Sequence, residues 1–340
     1  MAIKLKNEEF DAIIKRLRGD SLFYAPVKLS GKGRFSDTDL VKYREITSIG
    51  EIVFDKKSFL SLKEIILPAT QKLFEISEGK LKDLSKTDSK RIIIFARSCD
   101  IHAVHRLDEI FLKNGNTIDP YYQAIRNRIK FIFLECPTQF ESCFCVSMGT
   151  NKPVGYAAAL RVEKDHITLD FVDESFKTEL GITDNCAGFA PIYPVSDINP
   201  VSPPLNSKMP ETMFSHQLFD AYDTRCIACG RCNTSCPTCS CFSTMDVTEP
   251  DKKDSGERRR IWDGCHLDGF TEMAGGHSFR KKHGSRMRFK TFHKIYDFRM
   301  RFGKDMCVGC GRCDDVCPEL ISFADCINSV TKALEKEERI

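Results

Sequence analysis

Cys226-Ile227-Ala228-Cys229-Gly230-Arg231-Cys232-Asn233-Thr234-Ser235-Cys236-Pro237 is answered further along the chain by Cys307-Val308-Gly309-Cys310-Gly311-Arg312-Cys313-Asp314-Asp315-Val316-Cys317-Pro318. Both read C-x2-C-x2-C-x3-C-P, the spacing of two-cluster iron–sulfur proteins. A cubane of iron and sulfide is compact, so three thiolates must converge on it from a tight turn. Small residues such as Gly230, Gly309 and Gly311 let the backbone wrap that closely. The fourth thiolate follows a short helical turn and points toward the other cluster, and the proline after it fixes the exit of the chain. The ligand sets are therefore crossed. One [4Fe-4S] cluster is expected on Cys226, Cys229, Cys232 and Cys317, the other on Cys307, Cys310, Cys313 and Cys236. Structural zinc also uses C-x2-C pairs, but a third cysteine and a fourth before proline, twice over, is not a zinc-finger pattern.

Outward from these motifs, the chain has 340 residues, enough for two domains. Its 41% hydrophobic and 29% charged content is that of a globular protein with a sizeable core. A net charge of +3 from 51 basic and 48 acidic residues names no partner by itself. Seventeen cysteines would suggest disulfides in a small secreted chain. Here the N-terminus, Met-Ala-Ile-Lys-Leu-Lys-Asn-Glu-Glu-Phe, has no apolar signal core, and no apolar run approaches bilayer length. The expectation is a cytoplasmic protein without a membrane partner, its thiols reduced and free to bind iron.

Phe10, Ile13, Ile14 and Leu17 recur at helical spacing, predicting an amphipathic helix in the first twenty residues. Residues 25–55 read as a hairpin or two. Gly31-Lys32-Gly33 there lacks the rest of a phosphate loop. Ser58 to Glu78 reads as helix interrupted near Pro68. Arg91–Ala96, Arg128–Glu135, Val154–Val162 and His166–Val172 read as strands, with a helix over Ile101–Leu112. The fold class expected is α+β: a mixed α/β domain over residues 1–205, then an α-helical two-cluster ferredoxin-like domain over 206–340. The boundary follows from Pro191, Pro194, Pro200, Pro203, Pro204 and Pro210. Within the second domain, Phe270–Ala274 and Met287–Tyr296 read as helices, and Leu320–Arg339 as a closing amphipathic helix that frays at its end.

Four more cysteines lie at the predicted strand ends: Cys99 after the first, Cys136 after the second, then Cys143 and Cys145. Ligands at strand C-terminal ends converge at one sheet edge, and four thiolates is what a third [4Fe-4S] cluster needs. The competing readings are zinc and small buried hydrophobes. Cys186 and Cys326 are assigned to packing. Cys239, Cys241 and Cys265 are read as packing beside the clusters, with an additional metal or redox site as the alternative.

From Lys252 to Lys304 the chain carries fifteen Lys/Arg against six Asp/Glu. Nucleic-acid binding, with Phe289 and Phe292 as stacking groups, is one reading. Compensation of anionic clusters and docking of an acidic partner rank above it, so nucleic acid is not favoured. Trp262 and Gly275-Gly276-His277 are read as structural.

Arg259-Arg260-Ile261-Trp262-Asp263-Gly264-Cys265, Ala274-Gly275-Gly276-His277, His293-Lys294 and Met306 to Cys313, with Arg97-Ser98-Cys99-Asp100 and Cys143-Phe144-Cys145 upstream, resemble the iron–sulfur electron-transfer subunit of anaerobic sulfite reductases. The same framework resembles the beta subunit of cytoplasmic sulfhydrogenases. The resemblance implies an electron relay between a flavin subunit that oxidises NADH and a sirohaem subunit that reduces sulfite to sulfide. No catalytic residue is expected on this chain: no paired acid and base or nucleophile motif demands one, and no G-x-G-x-x-G follows a predicted strand. The rival readings from other classes are an iron–sulfur nucleic-acid-binding or sensing protein and a zinc scaffold.

Overall fold

The computed structural model describes residues 2–33, 35, 37–85, 89–183, 186–204, 208–248 and 255–337. In chain order its strands begin with β1 (Ala2–Lys6), β2 (Ser21–Leu29), β3 (Leu40–Glu45), β4 (Thr70–Ser77), β5 (Lys80–Asp83) and β6 (Arg91–Ala96). They continue with β7 (Ile129–Leu134), β8 (Ala158–Val162), β9 (His166–Phe171), β10 (Phe242–Thr248) and β11 (Gly256–Trp262). A seven-stranded sheet runs β1-β9-β8-β7-β6-β2-β3. Its centre, β2, β6, β7 and β8, is parallel. The β1, β9 and β3 pairings are antiparallel.

The composition of β6 explains its central place. Alternate side chains of a strand point to opposite faces. Ile93 and Phe95 pack with Phe10 and Ile14 of the helix Asn7–Leu17. Ile92, Ile94 and Ala96 pack with Ile101, Val104 and Leu107 of the helix Ser98–Leu112. A strand covered on both faces needs a continuous apolar run, which Ile92–Ala96 supplies. Because β6 and β7 are parallel, their C-terminal ends share one sheet edge, and Cys99 and Cys136 follow them there.

The region expected to be helical from Ser58 to Glu78 is different. Helix is confined to Lys63–Ile66, and Thr70–Ser77 is strand. Pro68 disfavours helical geometry at Leu67, which sits at φ −130° and ψ 83°. Beyond it, Thr70, Phe74 and Ile76 pair with β11, nearly two hundred residues away. Local periodicity carries no trace of such a partner. The resulting antiparallel sheet, β10-β11-β4-β5, takes strands from both sides of residue 205. The expected boundary at 205/206 itself lies outside the described residues, as do Lys252 and Lys253 of the basic segment and Glu338–Arg339 of the fraying tail.

The C-terminal part, which carries both cysteine motifs, is built on helices that share one apolar core. Its longest helical runs are His283–Phe292, extended by a π turn at His293–Asp297 into Phe298–Phe302, and Phe323–Glu337. Gly303, at φ 70°, ends the first run in left-handed geometry. Phe323, Ile327, Val330 and Leu334 recur at helical spacing on the buried face of the last helix. The helix expected at Phe270–Ala274 is instead a small hairpin, Glu272–Met273 paired with His277–Ser278. Gly275 and Gly276, at φ 86° and 75°, make the chain reverse there.

Candidate metal centres

Cys226, Cys229, Cys232 and Cys317 line one cavity. Apolar side chains Met287, Ile321 and Phe323 complete its walls. Gly230 turns the chain in left-handed geometry at φ 69° before the short helix Arg231–Ser235. That turn aims Cys232 back at Cys226 and Cys229, and Ala228 is held at a positive φ of 55°. Burial pushes the Cys226 thiol up, and the nearby Cys232, Cys229 and Cys317 add to the effect. His266 is buried, with Nδ1 3.7 Å from Cys226 Sγ.

Cys236 does not line that cavity. Its sulfur instead acts electrostatically on Cys307, Cys310 and Cys313. Burial raises all three of those thiols, Cys310 to about 11. Cys236 goes the other way, lowered chiefly by a hydrogen bond with Cys239, with Lys294 and Thr238 assisting. The first set named from the spacing thus shares one cavity, and Cys236 lies away from it on the side of Cys307, Cys310 and Cys313. Cys313 also borders the first cavity, so the two sets adjoin.

Cys99, Cys136, Cys143 and Cys145 line a separate cavity, with Lys57, Gln139, Phe140 and Arg312. Burial and the neighbouring Cys143 push the Cys145 thiol up to about 12. Gln139 Nε2 lies 3.9 Å from its sulfur. The loop carrying Cys143 and Cys145 is held against the second motif: Phe144 N–H donates to Gly309 O at 2.8 Å and Thr150 Oγ1 to Val308 O at 2.7 Å.

Among the described residues no three His, Cys, Asp or Glu side chains converge as closely as a single metal ion requires. The charges fit an anionic group. Lys63, Lys290 and Lys294 are 3%, 4% and 2% exposed, and among the described residues no ion pair joins any of them to a carboxylate. Lys63 Nζ donates to the carbonyls of Asn233 and Cys239 and sits 3.9 Å from the centre of the Trp262 ring. Lys294 Nζ donates to Thr238 Oγ1 at 2.8 Å. Burial lowers Lys63. For Lys290 and Lys294 burial is outweighed by the cysteines around them, and both are raised. An uncompensated buried ammonium costs several kcal/mol, and cysteine-ligated iron–sulfur clusters are the anions that would offset it. When bound, such clusters supply one-electron transfer.

The cysteine spacing gives no sign of Lys57, Lys63, Asp100 or Lys290, whereas Arg312 lies within the second motif itself. Cys239 and Cys265 are buried, and Asn233 Nδ2 reaches both sulfurs, at 3.6 and 3.3 Å; Cys241 is half-buried nearby. Cys326 is buried in the core, but Cys186 is exposed, so packing does not account for it. Trp262 Nε1 donates to Leu67 O at 2.8 Å, joining β11 to the turn before β4.

Part of the basic segment is ion-paired. Arg258 pairs with Asp246, Arg259 with Glu257, Arg260 with Asp119 and Arg286 with Asp268. Phe292 is buried, and Phe289 lies under the Arg280 guanidinium, 3.8 Å from the ring centre. Neither ring is an open stacking platform. No helix among the described residues is long and apolar enough to cross a membrane.

Residues 225–321 match the family model of the 4Fe-4S dicluster domain. Along its whole length the chain is also similar to sulfhydrogenase 2 subunit beta of Pyrococcus furiosus: 27% identity over 98% of this chain and 99% of that one. No solved structure matches.

Proposed function

We propose that this chain is the electron-transfer subunit of an anaerobic sulfite reductase complex, relaying electrons from an NADH-oxidising flavin subunit to a sirohaem subunit that reduces sulfite to sulfide. The observation that carries the relay is the succession of three cysteine sets, each adjoining the next, around buried ammonium groups that lack carboxylate partners among the described residues. The chain's residues hold the centres close, exclude water and place positive charge beside them. Burial, hydrogen bonds to sulfur and local charge are the means by which a protein sets such potentials. In this reading the first centre uses Cys226, Cys229, Cys232 and Cys317, the second Cys307, Cys310, Cys313 and Cys236, and the third Cys99, Cys136, Cys143 and Cys145. The chain works in the cytoplasm; the division near residue 205 separates the seven-stranded sheet from the paired cysteine motifs, while β4 and β5 join β10 and β11 across it.

A second reading keeps the relay and changes the terminal partner to one of sulfhydrogenase type. The end-to-end similarity to a sulfhydrogenase beta subunit favours it. Anaerobic co-purification with bound partners decides between them. Sulfite reduction with a sirohaem spectrum supports the first, and hydrogen-dependent reduction without sirohaem supports the second. Iron counting reads the centres independently: three [4Fe-4S] clusters require about twelve irons per chain. A folded anaerobic preparation without iron would exclude both readings.

A further inference from the structure

Lys57 belongs to neither cysteine motif, yet its ammonium touches both the upstream set and the second. Nζ lies 3.7 Å from Cys143 Sγ and donates to Cys310 O at 3.0 Å and to Ser142 Oγ at 2.8 Å. Cys143 Sγ reaches the same Cys310 carbonyl at 3.4 Å. One oxygen therefore receives contacts from the cation and from an upstream thiol, and it belongs to a cysteine of the second set. Glycine makes this approach possible. A Cβ on Gly309 would run into the Phe144 carbonyl, and one on Gly311 into the Ser142 carbonyl. Both obstacles are backbone, which cannot swing aside. On its other side the second set meets the first through Cys313, which lines the first cavity while its thiol feels Cys236 and Cys310.

We propose that Lys57 is a cation shared by the upstream and second centres, and that the three centres form a linear wire in the order upstream, second, first. The inference rests on the three-centre reading above. A positive charge beside a ligand sulfur of one redox group and the backbone of a ligand of the other favours the reduced, more negative form of both. The Lys57 side chain is 10% exposed, so water and salt screen it weakly. Its carboxylate partner Asp315, 2.6 Å away, is 38% exposed and offsets the charge from the solvent side.

The test is a redox titration of the full-length, anaerobically purified chain followed by electron paramagnetic resonance. Lys57→Gln keeps a donor for the Cys310 carbonyl and removes the charge; Lys57→Arg keeps the charge. In Lys57→Gln, the upstream and second centres should each become harder to reduce by about tenfold, which is about 59 mV for a one-electron couple. The first centre should not move, and Lys57→Arg should stay near the wild type. A shift confined to one centre, shared equally by all three, or absent overturns the proposal. Should Lys57→Gln lose iron, Asp315→Asn reads the same coupling with opposite sign: both centres become easier to reduce, and movement of the second alone overturns the sharing. In the fully reduced wild type, Cys99→Ser should relieve spin broadening of the second centre's signal and leave the first's as it was. Relief at the first centre instead overturns the order. Wild-type protein with only two centres would mean that the three-centre reading has failed, before Lys57 is put to the test.

Discussion

Arg312 grips both carboxylate oxygens of Asp100, Nη1 to Oδ1 at 2.8 Å and Nη2 to Oδ2 at 2.8 Å, with neither side chain open to solvent. Arg312 stands between two cysteines of the second motif, and Asp100 directly follows Cys99. The pair therefore clamps the helix after β6 to the loop that carries Cys310 and Cys313. Tyr43 Oη donates to Asp100 Oδ2 at 3.0 Å, and Arg312 also donates to the Ser58 carbonyl and hydroxyl. Every partner in this network is buried.

Breaking that pair from one side leaves a lone charge in the interior. Asp100→Ala is expected to destabilise the protein by about 3–5 kcal/mol, measured by urea denaturation of the iron-loaded chain without oxygen. The double variant Asp100→Leu/Arg312→Met removes both charges and should recover much of that loss. If the double variant is as unstable as the sum of the single ones, the two charges are not compensating each other.

Cys317→Ser should perturb the centre built on Cys226, Cys229 and Cys232, although Cys317 belongs to the second motif in sequence. The readout is the resonance spectrum of each centre. A change confined to the centre of Cys307, Cys310 and Cys313 would show that the ligands are not crossed.

Gly311→Ala should lower iron content at two centres together, because the added Cβ would force the Ser142–Cys145 loop off the second motif. Left-handed geometry at φ 66° adds roughly 1–2 kcal/mol for a residue with a Cβ. Gly275→Ala, also at positive φ but facing open space, is the control: it should lose a little stability and no iron. Equal iron in the two variants would remove the steric argument.

His102 gives the pH dependence a definite sign. Burial lowers its pKa to about 4. Its Nε2 meets Lys152 O at 2.8 Å and its Nδ1 meets Arg106 Nη1 at 3.1 Å, a pattern that calls for the neutral ring with its proton on Nε2. In the unfolded chain the ring takes up a proton near pH 6.5. The unfolded state therefore binds more protons between about pH 6.5 and 4, and stability falls as pH falls through that window. Below it the folded ring is charged too, and His102 contributes no further slope. Denaturation midpoints of wild type and His102→Gln at pH 7 and pH 5 check this: the variant should lose less on acidification.

The cysteine spacing and the apolar runs of β6 and β7 determined a good deal without any coordinates, because both are local. Cysteine–glycine turns and two-sided strands write their requirements into neighbouring residues. The upstream cysteines could be placed at one sheet edge because parallel strands end on the same side. What only the tertiary structure decided is long-range. The strand at Thr70–Ser77 exists because β11 pairs with it, and that partner is invisible to a window of local periodicity. The same holds for charge. Nothing near Lys57 or Lys63 in sequence distinguishes them from surface lysines. Only folding removes water from around them, and only then does each ammonium require sulfur, oxygen or ring contacts to stay buried.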